Sequence, residues 1–130
     1  MIKSKNIIRI GGREFNVILT ASVIDKLQEE YKDLSTVLET AEDFKLQIKQ
    51  IADITAVFVN DDIEAYNEDN PNDKKDYITS DWILRRVALN DTQTDDKKIL
   101  ATDLTLAIMQ AFNISLPETD PNEQAPKTSE

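Results

Sequence analysis

At 130 residues, 40% of them hydrophobic and 31% charged, the chain has the composition of one globular domain large enough for a real core. It contains no cysteine and no histidine, which excludes disulfides, thiol nucleophiles and zinc–thiolate sites and removes the usual general base near neutral pH. Fifteen basic against 25 acidic residues give a formal net charge of −10, a surface that repels phosphate backbones and argues against nucleic acid as a partner.

No apolar run approaches the roughly 20 residues needed to span a bilayer. Arg9, Arg13 and Glu14 interrupt any signal-peptide core behind Met1-Ile-Lys-Ser-Lys5, so a cytoplasmic protein without a membrane partner is expected. The most informative stretch follows, from Asn6 to Thr20. Two runs rich in Ile, Val and Phe flank Gly11-Gly12, the only two glycines of the chain. Gly-Gly between β-prone runs predicts a hairpin over about residues 6–19, because tight primed turns need positive φ. Thr20 offers a hydroxyl cap to a helix running to about Asp33, in which Val23, Ile24, Leu27 and Tyr31 recur at helical spacing. Asp33-Leu-Ser35 breaks that helix, and Ser35 is expected to cap a short second one through Val37, Leu38 and Ala41.

A long helix is expected from about Glu42 to Asn67. Its apolar positions Phe44, Ile48, Ile51, Thr55 and Phe58 step by 4, 3, 4 and 3, and Ile54, Val57 and Val59 widen the stripe. A stripe this wide needs neighbours on more than one side, which places the helix at the centre. Asn67 to Asp76 has no apolar residue, carries the first proline, Pro71, and reads as an exposed loop. Thr79 or Ser80 should cap a helix from Asp81 to about Leu89, with Trp82, Ile83, Val87 and Ala88 buried. After the polar break Asn90 to Asp95, a last helix shows one face of Leu100, Leu104, Ala107, Ile108, Ala111 and Phe112. Three of the four prolines then fall among polar residues, so residues 115–130 read as a disordered acidic tail behind a single domain of residues 1–114. The fold expected is mainly α (α+β): a β-hairpin followed by four to five helices in a small bundle.

Few constellations suggest chemistry. Leu116-Pro-Glu-Thr-Asp120 has Asp where a sortase signal needs Gly, and reads as a linker. Asp91, Gln93 and Asp95 alternate like the first ligands of a calcium loop, yet the sixth position is Asp96 and the twelfth Thr102, so a turn plus helix cap is the better reading. Carboxylate-only catalysis would draw on Glu42, Asp43, Asp53, Asp61, Asp62 and Glu64, but these lie mostly on the polar side of one helix and read as a solvated face. Gly11-Gly12 lacks the spacing of a phosphate loop. Trp82 and Tyr66, at the borders of the acidic loop, are the two aromatic candidates for partner contact, against a packing role for each.

In its order of pieces the chain resembles the tail assembly chaperones of long-tailed (siphovirus-type) bacteriophages, in particular those of Gram-positive hosts. The resemblance covers roughly Asn6 to Leu116. It rests on the hairpin Ile8-Arg-Ile-Gly-Gly-Arg-Glu-Phe15, the first helix Ile24-Asp-Lys-Leu-Gln-Glu-Glu-Tyr31, the long central helix, and the closing helix Asp103 to Phe112 with its polar tail. It implies a non-catalytic viral protein with no cofactor. Such a protein binds the tape-measure protein, an aggregation-prone helical rod, and keeps it soluble while tail-tube subunits polymerise around it. It would act in the host cell cytoplasm and be absent from the mature virion. The major tail tube protein would be a further contact, and a longer frameshifted product a further expectation. An exposed hairpin edge, Asn6 to Ile10 or Arg13 to Leu19, would allow modest homo-oligomer formation. The rival readings are a structural virion component such as a small head–tail connector, and a carboxylate-dependent metal enzyme.

Overall fold

The alternation of the opening stretch carries through into structure. A computed structural model describes residues 6–43 and 45–115, so Phe44, the N-terminal Met1 to Lys5 and the segment 116–130 expected as a tail lie outside the described residues. Strands β1 (Ile7–Ile10) and β2 (Arg13–Asn16) pair antiparallel, Ile10 opposite Arg13 and Ile7 opposite Asn16. Gly11 and Gly12 both have positive φ, 64° and 74°, as a two-residue primed turn requires. Ile8, Ile10, Phe15, Val17 and Leu19 point into the core, and Ile7, Arg9, Glu14, Asn16 and Ile18 point out. Buried Asn6 extends the pairing: its carbonyl accepts from the Val17 amide, and its Nδ2 donates to the carbonyls of Val17 and Ala107 at 3.0 and 2.8 Å.

Helix α1 (Ala21–Tyr31) starts on Thr20, whose hydroxyl oxygen accepts from the Val23 amide at 3.1 Å. It ends at Lys32, a non-glycine residue at φ 65°, where the Asp33 amide donates back to the Tyr31 carbonyl. Helix α2 (Leu34–Glu42) is capped by Asp33 rather than by Ser35. The Asp33 carboxylate takes both the Ser35 amide, at 3.0 Å, and the Ser35 hydroxyl, at 2.7 Å. A carboxylate two residues earlier outcompetes the hydroxyl because it accepts two donors at once and favours the helix's positive end.

The long helix, α3 (Ile48–Asp69), begins later than its periodicity suggested. Glu42 belongs to α2, Asp43 closes α2, and Lys45 to Gln47 is non-helical. Gln50 Oε1 accepts from the Gln47 amide at 3.0 Å and closes the new N-terminus. Its buried residues, Ile51, Ala52, Ile54, Thr55, Ala56, Phe58, Val59 and Ile63, cover more than one stripe. Accordingly α3 packs against α1, α5, β2 and the short helix α4 (Ser80–Leu84), at the centre of the fold. The Phe58 and Phe112 rings meet edge to face, centroids 6.4 Å apart.

Beyond Leu84 the expected helix to Leu89 gives way to extended chain. Val87–Ala88 (β3) pairs parallel with Ile99–Leu100 (β4), and the Ile99 amide donates to the Arg86 carbonyl at 2.9 Å. Asn90 caps a single 3₁₀ turn, Asp91–Gln93, and the Asp95 carboxylate accepts the Lys97 amide at 2.8 Å, so this stretch forms the expected turn, with Asn90 as its cap. Helix α5 (Ala101–Ser115) closes the bundle, burying Leu104, Ala107, Ile108, Ala111 and Phe112. The result is mainly α with some β: a hairpin followed by helices.

Candidate partner-binding surfaces

The acids of α3 are not a free solvated face. Asp61 Oδ2 accepts the Thr20 hydroxyl at 2.9 Å and Asp62 Oδ2 accepts the Asn16 amide at 3.0 Å, which hold the end of the hairpin on the helix. Glu64 Oε1 accepts the Tyr77 hydroxyl at 2.6 Å, and Asp53 Oδ1 accepts the Ser80 hydroxyl at 2.6 Å while pairing with Lys49. Among the described residues no three His, Cys, Asp or Glu side chains converge to hold a metal ion. Each of these four carboxylates instead faces a donor from outside α3.

Two asparagines, unmarked in the sequence reading, do the same for the loop after α3. Asn60 grips both backbone groups of Ile78, donating to its carbonyl at 2.9 Å and accepting from its amide at 2.7 Å. Asn67, two turns further on, grips Lys75 in the same way at 3.0 and 2.8 Å. The seven-residue spacing on one helical face was available in the sequence, but asparagine is not apolar and hydrophobic periodicity gives no sign of either.

Tyr66 and Trp82 are both half-buried. The Tyr66 hydroxyl donates to Asp73 Oδ2 at 2.5 Å, which pushes the phenol above its ordinary value and holds Asp73 below the usual carboxylate range. Lys75 Nζ lies 5.0 Å from the Tyr66 ring centroid. Beside them Glu64, Glu68, Lys74, Asp76 and the 58%-exposed Tyr77 line an open, charged cavity of about 380 Å³. Trp82 sits elsewhere. Its ring covers Gly11, and the Arg86 guanidinium stacks on it at 4.1 Å. Lys75 bonds to Asn67, Ile78 to Asn60 and Ser80 to Asp53, so the chain retraces α3 backwards over ~21 Å at 1.5 Å per residue. Tyr66 therefore sits near the C-terminal end of α3, and Trp82 follows two residues after Ser80, which meets the N-terminal half of the helix at Asp53. They do not form one patch.

A second depression lies between the chain leaving the hairpin, Asn16 to Thr20, and α3. It is a groove of about 140 Å³ with Ile18, Phe58 and Ala65 as its apolar surfaces and Asp61 and Asp62 on its rim. Ile18 is 50% exposed and Ile7, on the same outward face of the hairpin, 45%. The signal for this surface was the outward position of two isoleucines, Ile7 and Ile18, in an otherwise polar set. Among the described residues no helix is long and apolar enough to cross a membrane. Searches against protein-family models, curated proteins and solved structures find no match to this chain.

Proposed function

We propose that the protein is a non-catalytic tail assembly chaperone that binds a phage tape-measure protein and keeps it soluble during tail-tube polymerisation. The observation that carries the reading is the order of elements on which the resemblance rests: hairpin, Thr20-capped α1, central α3 and closing α5, packed around one core. Two further features support it. Ile7 and Ile18 give the hairpin an exposed apolar face, and the acid-rich surface suits a protein that disperses a sticky partner. An amphipathic helical rod laid against such a surface would bury its apolar stripe while its lysines meet carboxylates.

The test is co-expression with a tape-measure protein from a related phage, followed by pull-down and quantification of soluble partner. Co-elution with a several-fold rise in soluble tape-measure protein is the expected result. An insoluble partner and no co-elution would sink the reading, and assembled particles would then be searched for this chain as a connector.

A further inference from the structure

We propose that the groove between Asn16–Thr20 and α3 is the docking site for a basic amphipathic helical segment of a protein partner, one apolar side chain entering the groove and a Lys or Arg beside it meeting Asp61 and Asp62. Size decides the class of occupant. Pockets for drug-sized ligands measure about 300–1,000 Å³, whereas an apolar cavity of about 150 Å³ takes a benzene-sized group. At about 140 Å³ this groove takes one side chain.

Charge decides the rest. Asp61 and Asp62 form no ion pair among the described residues, yet both are already aimed. The Thr20 hydroxyl holds Asp61, and the backbone and side-chain amides of Asn16 hold the two oxygens of Asp62, so their orientation costs a partner little ordering. Two fixed, unneutralised carboxylates beside an apolar floor repel nucleic acid and anionic lipid and complement a cation three or four residues from an apolar anchor. This deepens the tape-measure reading, on which the choice of a helical partner rests.

The first probe is a synthetic helix of Leu and Lys, about 14 residues long, titrated into the full chain by calorimetry. Ala65→Phe, which fills the groove without changing charge, and Ile18→Asn, which removes its apolar wall, should each weaken binding about tenfold. Asp61→Asn with Asp62→Asn should weaken it and flatten its salt dependence. Glu39→Gln with Glu42→Gln, the same charge loss on exposed positions of α2 away from the groove, should leave it unchanged. Equal binding by all variants would mean that net charge alone holds the peptide, and no binding to the wild type would equally overturn the proposal. A wild-type dimer that Ala65→Phe dissociates would put a second copy in the groove instead. Repeating the co-expression with Ala65→Phe separates the two readings. If the wild type and the variant solubilise the tape-measure protein equally, the groove assignment fails and the chaperone reading stands. If neither does so while the peptide still needs the groove, the reverse holds.

Discussion

The two glycines of the hairpin turn share a left-handed backbone but not a surrounding. A side chain at Gly12 would meet nothing within 4 Å, whereas a Cβ at Gly11 would lie 2.4 Å from Trp82 Cη2. Gly12→Ala should therefore cost only the backbone penalty, about 1 kcal/mol. Gly11→Ala should add ~1–3 kcal/mol for displacing a ring already stacked under Arg86. Urea unfolding of the two variants checks this, and equal losses would show that Trp82 yields freely. Thr55, in the middle of α3, is 2% exposed and its Oγ1 has no hydrogen-bond partner, unlike Thr105, which donates to the Ala101 carbonyl at 3.1 Å. Thr55→Val keeps the shape and removes the stranded hydroxyl, so it should raise stability by about 1 kcal/mol while Thr105→Val should not. Acid stability is also set by single residues. The Ser35 hydroxyl and amide hold Asp33 below the carboxylate range, and the Tyr66 hydroxyl, then Lys75, do so for Asp73. A depressed folded value contributes stability above the unfolded pKa of about 3.9, lost as pH falls through the folded one. Stability should thus decline below about pH 4, and Tyr66→Phe should make that decline shallower in urea midpoints taken across the acid range. At the alkaline end the sign reverses. Carboxylates accepting from Tyr66 and Tyr77 raise both phenols, so their contribution is complete below the unfolded value and fades as pH rises through the folded ones.

At the scale of elements, α3 works as a post to which other pieces are tied by polar side chains. The two asparagine straps look alike but sit in different surroundings. Asn60 is half-buried and holds Ile78, which is 6% exposed, while Asn67 holds the exposed Lys75. Truncating Asn60 leaves a buried amide and carbonyl without partners, so Asn60→Ala should cost about 2–3 kcal/mol. Water can replace Asn67, and Asn67→Ala should cost under about 1 kcal/mol. Hydrogen exchange at Ile78 and Lys75 would show the same ranking locally. Strong opening at Ile78 in the Asn67 variant would instead mean that the loop comes off as one unit. The straps also explain how a run with almost no apolar residues keeps a defined path: its backbone groups find helix side chains where a core would otherwise hold it.

Taken as a whole, the molecule carries a formal charge of −10 with only three ion pairs among its described residues. Self-repulsion should therefore weaken the compact state at low ionic strength. Raising salt from ~0.01 M to ~0.15 M shortens the screening length from about 30 to about 8 Å, and the melting temperature should rise. A melting temperature that fell with salt would mean that local attractions outweigh the net charge. The same field bears on partners, since a basic segment is drawn to this surface and an acidic one is repelled.

Much of the architecture could be read without coordinates because its causes are local. Gly11-Gly12, the Thr20 cap, and the stripes of α1, α3 and α5 depend on residues within a few positions of one another, and the hairpin, the helices and the central place of α3 followed from them. The misplaced boundaries have causes of longer range. Nothing near Val87 in the chain shows that Ile99 will pair with it and draw residues 87–88 out of helix. At the other boundary, an apolar period running through Phe44 to Phe58 hides the Asp43 and Gln47 caps that divide α2 from α3. The groove was the least legible feature, since it exists only where Asn16 meets Asp62, 46 residues away, with Ile18 left facing out beside them. Periodicity and capping act over a turn or two of chain and are written in the sequence itself. Which carboxylate meets which amide, and which isoleucine is left uncovered, was decided only when packing brought distant segments together.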